Sequence, residues 1–243
     1  MKTTRNVLVY LMAFSLLFLS ACHDDDIWGI RGEGPVVSEN RNIADFHQID
    51  LTIDGEVILK QGPTQEVEIE AQENILNILE TRIRKGKLEI GFDNHQVRRY
   101  KQVKIYITVP QITYLKVSGS GKIIGDTDFE SDDVSLVISG SGSIDFGALN
   151  ANRIDSDISG SGDLFLNGDC AEHLSTISGS GKIRAYDLLS AETNIRISGS
   201  GNAEISVADY LKAKVSGSGK VRYKGNPTVD VDISGSGKVE RAD

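Results

Sequence analysis

The chain has 243 residues, 35 acidic against 26 basic side chains, a formal charge of −9 and 39% hydrophobic residues. That balance leaves no electrostatic footprint for nucleic acid or for anionic lipid head groups, and it suits a surface that meets cations or a basic partner. Only two cysteines, Cys22 and Cys170, are present, which excludes a disulfide framework.

Lys2 and Arg5 precede a 14-residue apolar stretch, Val7 to Ser20. This is the length of a signal-peptide core, and it falls short of the ~20 residues a membrane-spanning helix needs. The stretch ends in Leu19-Ser20-Ala21-Cys22, which resembles the lipobox of bacterial lipoproteins. The resemblance implies that residues 1–21 are removed as a lipoprotein signal peptide and that Cys22 becomes a lipid-bearing N-terminus. Acyl chains there would hold the protein on a membrane without spanning it. Loss of Lys2 and Arg5 takes the charge from −9 to −11. The run His23-Asp24-Asp25-Asp26 is similar to the surface-export signal of lipoproteins in the Bacteroidetes group. An outer-membrane, surface-exposed lipoprotein is therefore expected. Residues 22–36 lack periodicity, contain Gly29, Gly32, Gly34 and Pro35, and read as the lipidated Cys and a flexible tether.

From residue 37 the pattern becomes strand-like. Ile49, Leu51 and Ile53 alternate with polar residues, as do Val57 and Leu59, Val67 and Ile69, Leu88 to Phe92, and Val103 to Val109. Gly62-Pro63 marks one turn and Gly86, flanked by lysines, another. Glu73 to Arg84 fits either a helix or a bent strand pair. Residues 37–117 are expected to form irregular coils that run into the repeats and cap their N-terminal end.

Residues 118–243 carry Ser-Gly-Ser-Gly seven times, starting at Ser118, Ser139, Ser159, Ser178, Ser198, Ser216 and Ser234, at intervals of 21, 20, 19, 20, 18 and 18 residues. A flexible linker would have no reason to place a β-branched residue before every copy, yet Val117, Ile138, Ile158, Ile177, Ile197, Val215 and Ile233 stand there. Apolar residues also recur five positions after the first Ser, from Ile123 to Val239. This period-2 pattern inside a period near 20 predicts an all-β fold, a right-handed single-stranded parallel β-helix, in which each repeat is one coil. The structural glycines are Gly119 and Gly121, Gly140 and Gly142, Gly160 and Gly162, Gly179 and Gly181, Gly199 and Gly201, Gly217 and Gly219, and Gly235 and Gly237. Continued alternation would turn both glycines of each pair inward and the serines outward, where stacked hydroxyls could bond along the rod. Six intervals of ~4.8 Å give a rod of about 29 Å for this segment.

Chemistry-bearing residues are sparse. Cys170 and His173 are three apart, but His173 falls in an otherwise apolar column and reads as a semi-buried coil residue. Asp126, Asp128, Glu130, Asp132 and Asp133 could offer oxygens to Ca²⁺, although no EF-hand Gly or closing spacing accompanies them, and a solvated turn is the simpler reading. Asp145 and Glu204 are scattered acids, and the tyrosines are dispersed. The column after the motif, Lys122, Ser143, Asp163, Lys182, Asn202, Lys220 and Lys238, reads as a solvated face or a ligand-binding stripe. No catalytic residue, resident metal or cofactor is expected.

Phe46-x-x-Ile49, Gly55-x-Val57-x-Leu59-x-Gln61-Gly62, Leu88-x-Ile90, Val103-x-Ile105-x-Ile107-x-Val109-Pro110 and the Gly-Ser-Gly coils resemble the family described as "putative auto-transporter adhesin, head GIN domain". The resemblance covers about residues 40–240, implies a right-handed β-helix, and brings no catalytic residues. Nothing after Asp243 remains to form an auto-transporter barrel, so anchoring is expected from Cys22. The leading functional expectation is a lipid-anchored surface binding module that takes a glycan or protein ligand. The alternatives are a polysaccharide-active lyase or hydrolase, since β-helices host such enzymes, and an envelope scaffold or stress-related protein. Self-association by end or lateral stacking is expected for either binding or scaffolding.

Overall fold

The computed structural model describes residues 29–92 and 95–242. The expected signal peptide, Cys22 and the acidic run lie outside the described residues. The N-terminal part holds β1 (Val36–Asn40), β2 (Gln48–Leu51), β3 (Gly55–Gln61), β4 (Glu66–Gln72), the one-turn helix α1 (Glu73–Leu76), β5 (Glu80–Arg84), β6 (Lys87–Gly91) and β7 (Val103–Val109). The repeats supply β8 (Tyr114–Gly119), β9 (Lys122–Gly140), β10 (Ser143–Gly160), β11 (Asp163–Gly179), β12 (Lys182–Gly199), β13 (Asn202–Gly217), β14 (Lys220–Lys224), β15 (Thr228–Gly235) and β16 (Lys238–Arg241). All belong to one sheet wound into a β-solenoid of about six turns.

The repeats stack in register. Ser118 pairs with Ser139, and the column continues through Ser159, Ser178, Ser198, Ser216 and Ser234. The coil length drifts elsewhere. Register shifts fall after Phe146, after Phe165, after Ala185 and after Ser190, on the side away from the motif. Inward residues come in three runs per coil: Ile144 and Phe146, then Leu149, then Ile154, Ser156 and Ile158 in β10. Each coil is thus three-sided, and its variable residues sit at the corners between runs.

The two glycines of each motif do different jobs, and only one of them faces inward. The first lies at the corner with φ between +106° and +127° in all seven copies, a region that side-chain-bearing residues avoid. A Cβ at Gly160 would also lie 2.5 Å from the carbonyl oxygen of Gly140 in the preceding coil. That carbonyl accepts the N–H of Ser161 at 2.8 Å, so the ladder continues round the corner. The second glycine points into the core. A Cβ at Gly181 would lie 2.4 Å from Cγ2 of Ile158, and the same holds for Gly162 under Ile138 and Gly201 over Ile177 at 2.4 and 2.5 Å. The β-branched residue before one motif therefore fills the space left by the second glycine of the next. Two sequence features that look independent are one packing contact. The motif serines make no side-chain hydrogen bonds to one another among the described residues, so the expected hydroxyl ladder is not formed.

The N-terminal coils do not stack in chain order. β3 lies between β7 and β9, parallel to both, and β2 lies between β6 and β8. The chain makes one coil, crosses outward to make β6 and β7 beyond it, then returns to start the repeats. Antiparallel strands finish this end: β4 on β7, β1 on β4 and β5 on β6. Residues 73–84, ambiguous in sequence, divide into one helical turn and a strand. Pairing of Ile83 with Leu88 fixes the strand, and the turn between them has positive φ at Lys85 (53°) and Gly86 (76°), as a type I′ hairpin requires. Residues 30–34, read from sequence as tether, are joined to this cap. Ile30 bonds Gln96 and Arg98 through its backbone, Gly32 donates to Arg99, and Asn74 holds Arg31 and Glu33.

Candidate functional site: a groove along the rod

A hollow of about 890 Å³ forms an open groove running parallel to the rod axis. Its origin is a column of small residues at one corner. Ser131, Ala151 and Cys170 are register partners in successive coils, and Ala171, Ala191 and Ala208 lie beside them. Small side chains there dent the surface. The wall is the outward column Glu130, Asn150, Asp169 and Leu189, again register partners. Five coils contribute, so the groove is about 19 Å long at ~4.8 Å per interval.

Gln61 closes the N-terminal end as a clamp. It accepts the N–H of Glu130 at 2.8 Å, and its amide donates to the carbonyls of Pro110 at 2.9 Å and Glu130 at 3.0 Å. Asn150 accepts the N–H of Asp169 at 3.2 Å, and Asn152 donates to Asp132 at 3.4 Å. These bonds orient the amides and leave their remaining donors and acceptors facing the groove. Glu130, Asp132 and Asp169 form no ion pair among the described residues, so the groove is lined by amides and by carboxylates without a cation partner. Leu189, 53% exposed, adds one apolar contact at the far end.

The five acids considered for Ca²⁺ are not brought together. Glu130 and Asp132 line the groove, while Asp126 pairs with Lys60 at 3.5 Å. Among the described residues, no group of three or more His, Cys, Asp or Glu side chains is placed to hold a metal ion.

Cys170 and His173 also separate. Cys170 is buried beneath the groove, and burial pushes its thiol up to about 12, so no thiolate is available at neutral pH. His173 is not semi-buried but sealed in the core at 1% exposure. Its Nε2 lies 2.8 Å from the Ser175 hydroxyl and 3.1 Å from the Ser156 hydroxyl, which are 2.9 Å apart. Burial pushes the imidazole down to about 4, so it is neutral. A serine beside a histidine would suggest nucleophilic catalysis, but no solvent or substrate reaches this pair. It is a satisfied polar knot inside the solenoid.

Residues 45–227 match the family model described as "putative auto-transporter adhesin, head GIN domain". The chain belongs to that family. Several crystal structures share its fold. A "putative adhesin" from Bacteroides fragilis NCTC 9343 is 23% identical with a TM-score of 0.84, over 88% of this chain and 100% of that one. A "putative lipid binding protein" from Parabacteroides distasonis ATCC 8503 is 21% identical with a TM-score of 0.76, over 88% and 99%. A "putative adhesin" from Parabacteroides merdae ATCC 43184 is 25% identical with a TM-score of 0.69, again over 88% and 99%. No curated protein matches the sequence.

The groove escaped sequence reading because its signal is a shortage. Ser131, Ala151, Cys170, Ala171 and Ala191 mean nothing until the register aligns them.

Proposed function

We propose that this head GIN domain protein is a non-catalytic binding module, held on the outer surface of the cell by lipid on Cys22, that grips an extended hydroxyl-bearing chain in its groove. The carrying observation is the groove itself, a straight lane across five coils lined by Asn150, Asn152, Asp132 and Asp169. Fixed amides and carboxylates suit the hydroxyls of a neutral glycan. The same lining argues against an acyl chain as the occupant, although one structural neighbour is described as lipid binding. The sealed Ser156–His173 pair and the protonated Cys170 supply no nucleophile, in keeping with binding rather than turnover. The anchor rests on the lipobox-like Leu19 to Cys22 and the acidic run behind it.

The test combines a glycan array with Ala171→Trp, which fills the groove at an exposed position. Binding of a neutral glycan that drops at least tenfold in the variant supports the reading. Undiminished binding, or cleavage of the bound glycan, refutes it. Incorporation of an alkynyl fatty acid that is lost in Cys22→Ser tests the anchor, and proteolysis on intact cells tests outward exposure.

A second reading, self-association, is favoured by the outermost coil. β15 exposes Val229, Val231 and Ile233 at 37, 43 and 41%, where equivalent residues of inner coils are buried. The other end is closed by antiparallel strands, so a second copy is expected tail to tail rather than in a filament.

A further inference from the structure

The face that follows the Ser-Gly-Ser-Gly corner carries two hollows, of about 400 and 280 Å³, that meet at Arg184 and Glu204. Neither shares a residue with the groove. The first hollow is lined by the half-buried rings of Phe165 and Tyr186, with Gly147 leaving the floor open. The Arg184 guanidinium stands 4.7 Å from the centre of the Phe165 ring, and the Lys224 ammonium 4.5 Å from that of Tyr186. Each cation thus lies over its ring and covers one face, which leaves the other face and the edge of the ring to a ligand.

The second hollow is lined by four cations, Lys182, Arg184, Lys220 and Arg222, against one acid, Glu204, in a chain whose net charge is −9. Asn202 lies between Lys182 and Lys220 as the register partner of both. Two ladder spacings separate the lysine backbones by about 10 Å, and both long side chains can close on a group above the short Asn202. Three of the four cations have a carboxylate partner: Arg184 pairs with Asp163 at 3.1 Å, and Arg222 and Lys220 share Glu240 at 3.0 and 3.7 Å, the longer and weaker contact being that of Lys220. Lys182 is exposed and forms no ion pair among the described residues, so its charge is free for a ligand. The acids Asp145 and Glu204 are each offset by a cation, Lys122 at 3.6 Å and Arg222 at 3.9 Å.

We infer that this face binds an acidic sugar chain, with a ring packed against Phe165 and Tyr186 and a carboxylate or sulfate held between Lys182 and Lys220. Aromatic rings take the apolar face of a sugar, and the neighbouring ammonium groups take its acid. Neither part alone would distinguish a glycan from another polyanion; their adjacency across Arg184 does.

The experiment measures binding of the full-length protein, purified in detergent, to hyaluronate, heparin, neutral dextran and polyphosphate. Hyaluronate or heparin should bind at least tenfold more tightly than dextran, with an affinity that weakens as salt rises. Lys182→Ala with Lys220→Ala should reduce that binding at least tenfold. Phe165→Ala with Tyr186→Ala should reduce it several-fold while leaving polyphosphate unaffected. Circular dichroism on both surface variants confirms that they fold. No preference for acidic over neutral glycan overturns the proposal. So does polyphosphate binding as tightly as the glycans with no effect of the aromatic variant, which would mark a charge patch only. Ala171→Trp, in the groove, should leave acidic-glycan binding intact, so this site and the groove can fail independently.

Discussion

His173 shows how one buried polar residue shapes stability. Its imidazole is pushed down to about 4 by burial, whereas the unfolded chain titrates near 6.5. Between these values the unfolded state binds the extra proton, so stability is full above about pH 6.5 and declines as pH falls toward 4. The gap corresponds to roughly 3 kcal/mol. His173→Leu should flatten this acid limb, because Ser156 and Ser175 still bond each other and the register neighbours along the column include Ile154. Urea midpoints of wild type and variant between pH 4.5 and 7.5 measure it; parallel limbs would show that His173 does not carry the effect. Cys170 gives a second residue-level prediction. With its thiol at about 12, it should resist Ellman's reagent in the folded protein and react only in denaturant, and rapid native labelling would contradict its burial.

At the level of the coil, the glycine pairs make separable predictions. Gly160→Ala meets both a forbidden φ of +125° and a carbonyl 2.5 Å away, and should cost on the order of 3 kcal/mol. Gly147→Ala, whose Cβ would meet nothing nearer than 3.6 Å, should be close to neutral. Thermal or urea unfolding compares them, and equal costs would remove the corner argument. Gly181→Ala tests the interlock, because its clash is with Ile158. In an Ile158→Ala background the same substitution should cost at least 1 kcal/mol less, as contacting residues couple; strict additivity would sink the interlock. The β-branched and glycine positions were legible because a β-ladder repeats its packing every coil. Strict alternation would turn both glycines inward; it fails at the first of each pair because φ turns positive there.

For the whole molecule, the ends differ. Antiparallel strands close the N-terminal end, while β15 leaves Val229, Val231 and Ile233 exposed. Light scattering should therefore find a concentration-dependent dimer that Val231→Lys abolishes. A strict monomer at high concentration would rule out the tail-to-tail reading. The groove and the acidic-sugar face run along different sides of the rod, so a ligand on one need not exclude a ligand on the other.

The coil, its near-20-residue period and its inner face can be read from the repeats alone, because each repeat restates the same local rule of alternating side chains. The columns that coil stacking aligns are equally visible there. Which columns come together at a hollow depends on how the coils pack against each other. The groove is made by small residues meeting across coils, and the second face by Phe165 and Tyr186 arriving beside Lys182 and Lys220. The reversal of coil order at residues 48–109 was equally hidden, since strand patterns state that a segment pairs but not with which neighbour. Register is a sum of contacts over the whole rod, and no single window of sequence contains it.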